Sequence, residues 1–189
     1  LEILTHNNLR VMYHGAFSQE MADDFIRYHL VNPEEFWTPM PLPSTAVNDP
    51  LFRNIPENNW SGQPEGLTYQ RTIRALENYR HHAEIPLLGN HLLRAIGAEG
   101  FFSQQFDPFT GEISRKNNPT GDYGPTLLAC LEYISRMYGV HRQFDEIWWG
   151  AYHGGHDCSY TQRYGETTCC IGQRGGQAEG FVNGVSVFR

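Results

Sequence analysis

Apolar residues recur at helical spacing soon after the start of the chain. Ser18 is a residue type that caps helices, and the spacing after it predicts a helix that runs to about Leu30. Pro33 is expected to stop this helix, because proline cannot continue one. The predicted apolar face consists of Met21, Phe25, Ile26 and Leu30.

The same spacing predicts three further helices. The first covers residues 66–80, and the second covers residues 84–96 and is expected to stop at Gly97. The third begins at Pro125 and is expected to stop at Gly139. The short link between the first two predicts a helical hairpin. The predicted apolar face of the last helix consists of Leu127, Leu128, Leu131, Ile134 and Met137.

Between the first two predicted helices, residues 36–60 are rich in proline and turn-forming residues. Five prolines exclude a long helix and a central strand here. A loop of this length is usually functional or disordered. Because it contains Trp37, Phe52 and Trp60, we expect it to be ordered and functional.

The last fifty residues change to a strand pattern. Residues 147–149, 166–172 and 177–188 are predicted strands, with a turn at 174–176. Asn183-Gly184 is a strong hairpin signal. The tail is therefore predicted to form a small antiparallel sheet.

Composition and charge limit the classes of partner that the chain can be expected to bind. With 14 basic and 21 acidic residues the net charge is −7, and no basic run exists to attract nucleic acid. No apolar run is long enough to span a membrane, and the start of the chain lacks the pattern of a signal peptide. Neither nucleic acid nor a membrane is an expected partner.

Four cysteines are too few and too clustered for a disulfide framework, which favours a reducing, cytoplasmic compartment. Cys169 and Cys170 are adjacent in a predicted strand and should face opposite sides. His153, His156, Asp157 and Cys158 resemble a zinc set, but no second ligand pair follows and the glycines beside them indicate an ordinary loop. No metal or cofactor is expected, and a metal-binding module stays an alternative.

Three segments resemble a known family in their order and spacing. Asn-Trp-Ser-Gly-Gln-Pro at 59–64 precedes the helix pair, Gln-Phe-Asp-Pro-Phe-Thr-Gly-Glu at 105–112 follows it, and Tyr-Gly-Pro-Thr at 123–126 opens the next helix. Across residues 7–140 this order resembles the final third of the six-hairpin glycoside hydrolases. These inverting enzymes include trehalase, processing α-glucosidase I and mannosylglycerate hydrolase.

The resemblance implies a mainly α fold, a partial (α/α)6 toroid of helical hairpins with a small C-terminal antiparallel β-sheet. It places the toroid part in residues 1–142 and the β-strand region in residues 143–189. A whole toroid needs far more than 189 residues. The catalytic acid, an aspartate in this family, is therefore expected upstream in the remainder of the polypeptide, and the isolated chain is expected to be inactive.

The family's general base falls on an amide in this chain. In relatives the segment reads Glu-aromatic-aromatic-Asp-Pro-x-Thr-Gly with that Glu as the base, and Gln104 stands at the matching position. An amide cannot accept a proton at neutral pH. Inverting glycosidases need an acid on one face of the scissile bond and a base on the other.

Three explanations for Gln104 stay open. Phosphate could replace water as the nucleophile, so that the enzyme is a phosphorylase. Another carboxylate, Asp107 or Glu112, could take over as base, although Asp107 before Pro108 also fits a simple turn former. The protein could instead bind sugar without cleaving it. A substitution made to trap a complex would be a fourth origin of the amide.

Candidate sugar-binding residues combine aromatic and amide side chains. Aromatic rings cover the apolar C–H faces of sugars, while amides and carboxylates bind the sugar hydroxyls. The expected partner is an oligosaccharide or small glycoside with an α-linked glucose or mannose. The candidate substrate-binding residues are Trp37, Trp60, Gln63, Gln105 and Tyr123.

Overall fold

The structure, a computed structural model, describes residues 3–56, 62–114 and 122–189. The chain divides into two units, Leu1–Cys130 and Leu131–Arg189, and the division falls inside the fifth helix. Within the described ranges, no helix combines the length and the apolar character needed to cross a membrane. The domain boundary expected after residue 142 stays a prediction.

The described chain contains five α-helices and two antiparallel sheets. The helices are α1 Asn7–Tyr13, α2 Gln19–Phe25, α3 Gly66–Glu77, α4 Glu84–Glu99 and α5 Gly124–Tyr138, and α2 continues into a π-helical turn, Ile26–Leu30. The first sheet pairs β1 Val140–Gln143 with β2 Glu146–Trp149. The second is a four-stranded meander of β3 Cys158–Tyr164, β4 Thr167–Arg174, β5 Gln177–Val182 and β6 Val185–Phe188.

The helix predicted after Ser18 is confirmed, and its cap explains where it starts. The Ser18 Oγ accepts a hydrogen bond from the backbone N–H of Met21 at 3.2 Å, which satisfies a donor that the helix itself cannot. The helical path then runs to Leu30. The prediction that Met21 faces the core is wrong, since Met21 is 54% exposed and the small Ala22 occupies the buried position beside it.

Helix α3 is buried on almost every side. Ile73, Leu76 and Tyr79 lie in the core, and Tyr69 is fully buried with its hydroxyl donating to the Pro41 carbonyl at 2.9 Å. The helix ends at Glu77, shortly before Arg80 adopts a left-handed backbone with φ of 61°. Polar positions such as Thr72 are also enclosed, because α1 and α4 both pack against α3.

Two helix details differ from the prediction. Gly97 lies inside α4, and the helix instead ends at Gly100, whose φ of 63° suits the left-handed C-cap that glycine favours. In α5 the predicted face is wrong for Leu127, Leu128 and Leu131, which are exposed. The positions of α5 that are buried in this chain are Thr126, Ala129, Cys130, Tyr133, Ser135 and Met137.

The loop over residues 36–56 is ordered, as predicted. Phe36, Met40, Leu42 and Ala46 are buried side chains that fix it to the core. The Thr38 hydroxyl donates to the Met40 carbonyl at 2.6 Å, which closes one of its turns. The loop is therefore part of the scaffold of its unit.

The tail follows the predicted antiparallel pattern. Asn183 and Gly184 both have positive φ, 48° and 80°, as the hairpin signal requires. Cys169 is buried beside Val140 and Ile171, while Cys170 faces the other side of β4 and is half-buried, as predicted. The sequence pattern did not identify β1 or β3.

Candidate functional site

Residues 101–114, termed the central loop, bind to the start of α3. Gln105 forms a backbone bridge with Glu65, and the Phe106 N–H donates to the Pro64 carbonyl at 3.1 Å. The Gly66 N–H donates to the Gln104 carbonyl at 3.0 Å. The first turn of α3 therefore fixes the backbone at Gln104.

The other side of the central loop is bound to the start of α5. The Thr126 hydroxyl donates to the Ser103 carbonyl at 2.6 Å, and the Tyr123 N–H donates to the Phe102 carbonyl at 2.7 Å. The Asp122 carboxylate accepts from the Phe102 N–H at 2.9 Å. The central loop thus joins two helix starts that lie far apart in sequence.

Gln104 and Gln105 differ in their surroundings. Gln104 is half-buried, whereas Gln105 is fully buried. The Gln105 Nε2 donates to the Glu65 Oε1 at 2.7 Å, and both partners are fully enclosed. Gln105 therefore holds a buried carboxylate, and Gln104 is the more accessible of the two amides.

Glu65 is a buried carboxylate that sequence reasoning did not place in the site. Its negative charge and the burial of Tyr123 together raise the pKa of the Tyr123 phenol, with burial the larger cause, and Arg71 partly opposes them. Glu65, Gln105 and Tyr123 therefore lie in one neighbourhood. The sequence did not point to Glu65, because its hydrogen bond with Gln105 joins residues 40 apart.

Asp107 has both carboxylate oxygens occupied. Oδ1 accepts from the backbone N–H groups of Phe109 and Thr110 at 2.8 and 3.0 Å, and Oδ2 accepts from the Asn54 Nδ2 at 2.7 Å. Partial burial acts to raise the pKa of Asp107, but these hydrogen bonds outweigh it and hold the pKa below the ordinary value. Asp107 therefore forms the turn of the central loop.

Glu112 and Gln63 occupy contrasting places. Glu112 is exposed, and its carbonyl accepts from the Asp107 N–H at 2.8 Å. Gln63 is fully buried, donating to the Asn54 Oδ1 at 2.8 Å and accepting from the Ser114 hydroxyl at 2.6 Å. The Gln63 amide therefore links Asn54, in the loop over residues 36–56, to Ser114, at the end of the central loop.

Two of the three aromatic candidates, Trp37 and Tyr123, lie within the described residues. Trp37 is half-buried and meets the His91 ring edge-on at 6.2 Å between centroids. Tyr123 is half-buried at the start of α5. Trp60 lies outside the described residues.

The zinc-like set lies in the loop before β3, except for Cys158, which is the first residue of that strand. The Asp157 Oδ1 accepts from the Gly175 N–H at 2.9 Å, and the His156 Nδ1 lies 3.0 Å from the Gly154 carbonyl. In the part of the chain that the structure describes, no three His, Cys, Asp or Glu side chains are grouped so as to hold a metal ion.

Comparison with known proteins places the chain in a family. Residues 6–126 match the mannosylglycerate hydrolase MGH1-like glycoside hydrolase domain. The class is thus that of glycoside hydrolases, in agreement with the order of motifs and the central loop. Because the match spans more than half of the sequence, the chain belongs to the MGH1-like glycoside hydrolase family. No curated protein sequence matches the chain.

Solved structures share the fold. The GH63 mannosylglycerate hydrolase from Thermus thermophilus in complex with glucose aligns with a TM-score of 0.54 and 21% identity, over 69% of this chain and 30% of that one. A chain described as a sialidase aligns with a TM-score of 0.67 and 11% identity, over 98% of this chain and 19% of that one. The present chain therefore spans under a third of the length of these relatives.

Proposed function

We propose that this chain is the C-terminal part of an inverting glycoside hydrolase that acts on α-glucosides or α-mannosides. The observation that carries this proposal is the central loop, which binds the start of α3 through Gly66 and the start of α5 through Thr126 while leaving Gln104 half-buried. Membership of a glycoside hydrolase family supports it. The substrate is an oligosaccharide or a small glycoside.

The proposed fold of the whole protein is an (α/α)6 toroid. Helix α5 supports this, because Leu128 and Leu131 are 55% and 56% exposed on a side that a solvent-facing helix would make polar. Further helices of the remaining polypeptide would cover them. The remaining polypeptide would also supply the catalytic acid.

Gln104 decides which chemistry the site can perform. We place it at the sugar as a hydrogen-bonding group, since its amide cannot accept the proton of an attacking water. Asp107 is a poor substitute, because both of its carboxylate oxygens already accept hydrogen bonds and its pKa is lowered. Of the two carboxylates proposed as substitutes, Glu112 is the one left exposed to solvent.

The amide favours phosphorolysis as a second candidate. Inorganic phosphate is already an anion, so one of its oxygens can form the new bond to the anomeric carbon without a base. The glycosidic C–O bond breaks, and an upstream acid protonates the leaving oxygen. A sugar-binding protein without turnover is the third candidate, and Gln104 supports it equally.

The test is sugar release by the full-length polypeptide on a panel of α-glucosides and α-mannosides, with and without inorganic phosphate. Free sugar without phosphate would establish a hydrolase in which a group other than Gln104 activates water. Sugar phosphate formed only with phosphate would establish a phosphorylase. Glycoside binding without turnover would establish the sugar-binding protein, and neither binding nor turnover would overturn the proposal.

A further inference from the structure

The N-terminal unit contains a cavity of about 400 Å³ with two arginines in its wall. Arg10 comes from α1 and Arg71 from α3, two helices that pack against each other. Thr5, His6 and Ser44 also line the cavity, and none of its lining residues is acidic. The cavity is therefore positively charged and rich in hydrogen-bond donors.

The two arginines, Arg10 and Arg71, have no direct ion-pair partner among the described residues, 3–56, 62–114 and 122–189. Two guanidinium groups that share one cavity repel each other unless an anion lies between them. Their planar donor groups match the oxygens of phosphate and carboxylate.

His6 shows that the field of both arginines reaches into the cavity. Its ring is buried, with Nδ1 3.2 Å from the Thr68 hydroxyl. Burial lowers the pKa of His6 to about 4, and the charges of Arg10 and Arg71 contribute to that shift. His6 is therefore neutral at pH 7, and the positive charge of the cavity comes from the arginines.

Ser44 supplies an independent sign of a ligand-binding site. The residue is 2% exposed, and within the described residues its Oγ has no hydrogen-bond partner. Its backbone is fully used, since its N–H donates to the Gly62 carbonyl at 3.1 Å and its carbonyl accepts from the His6 N–H at 3.2 Å. A buried hydroxyl without a partner is costly, and an oxyanion in the cavity would accept its hydrogen bond.

We propose that this cavity binds a small oxyanion, with Arg10 and Arg71 as its cationic partners and the Ser44 hydroxyl as a donor. The recognised chemistry is shared by inorganic phosphate and by the carboxylate of a small acid. The proposal stands on the geometry of this cavity alone and does not depend on the proposed function.

Isothermal titration of the full-length polypeptide tests the site, with inorganic phosphate and acetate as separate probes at constant ionic strength. Binding of phosphate alone assigns the site to phosphate, and binding of acetate alone or of both assigns it to carboxylates or to oxyanions in general. Arg71→Met should weaken the bound probe about tenfold or more, because a charge-assisted contact is lost. Arg94→Met, an exposed arginine outside the cavity, is the matched control.

Ser44→Ala separates a ligand contact from a structural role. The Oγ has no protein partner to lose among the described residues, so the variant should unfold at the same denaturant concentration as the parent while binding the probe several-fold more weakly. The proposal is overturned if neither probe binds the parent protein. It is equally overturned if Arg71→Met and Arg10→Met bind as well as the parent.

Discussion

At Gly66 the first turn of α3 touches the first turn of α5. A Cβ at this position would lie 1.7 Å from the Thr126 Oγ1 and 2.8 Å from its Cβ, well inside any real contact distance. The same Thr126 hydroxyl holds the Ser103 carbonyl, so it cannot move without releasing the central loop. A single missing side chain therefore allows three segments to meet.

Gly66→Ala is expected to destabilise the protein by about 1–3 kcal/mol, the usual cost of forcing extra volume into a packed site. Chemical denaturation measures this change. Gly97→Ala is the matched control, because the space around Gly97 in α4 is open and alanine favours helices by about 0.5–1 kcal/mol. If both variants have equal stability, the close approach at Gly66 is wrong.

Asp107 gives a prediction that depends on pH. Its pKa is lower in the folded chain than in the unfolded one, so its carboxylate stabilises the fold above the unfolded value of about 3.9. That contribution is lost as the pH falls through the lowered folded pKa. Asp107→Asn should therefore be less stable than the parent near pH 6, and the difference should shrink towards pH 2, as measured by urea denaturation across the range. A difference that does not vary with pH would contradict this role.

At the scale of elements, the sequence predicted well where a local signal sets the structure. Ser18 caps its helix and Asn183-Gly184 makes its hairpin because both signals act within a few residues. Strand β3, Cys158–Tyr164, was not predicted because its sequence mixes polar and aromatic residues. It is defined by its pairing with β4, which the local sequence does not show. The prediction that α4 stops at Gly97 is wrong, because a second glycine three residues later, Gly100, forms the C-cap instead.

Helix α5 shows that an apolar stripe does not say what covers it. Spacing marked Leu127, Leu128 and Leu131 as a core face, yet in this chain they are exposed and a neighbouring face with Tyr133 and Met137 is buried. The helix is apolar on two sides. Which side meets this part of the polypeptide depends on tertiary packing and not on periodicity.

Leu128→Ala in the full-length polypeptide tests whether further helices cover α5. If they do, the variant should lose about 2–5 kcal/mol of stability, the range for a buried leucine. Val185→Ala, at a position 67% exposed on β6, should change stability by about 0.5 kcal/mol or less. Equal, small effects of both substitutions would contradict the proposed toroid.

For the whole molecule, the family could be predicted from the order of motifs, and the family match confirms it. The partnership of Gln105 with Glu65 could not, because it joins residues 40 apart through a bridge that only the fold sets. The burial of Gln63 and Glu65 could not be predicted either, since polar residues in a turn-rich segment are ordinarily exposed.

The most direct measurement compares the full-length polypeptide with its Gln104→Glu variant on the best substrate of the panel, without phosphate. The account predicts that the carboxylate of the variant raises the rate of hydrolysis about a hundredfold, at the lower end of the range for a general base. Proton NMR should show that the sugar has the inverted anomeric configuration when it is first released. Gln104→Asn serves as the control and should show no gain. An unchanged rate in Gln104→Glu, or a first product with retained configuration, would contradict the placement of Gln104 at the general-base position.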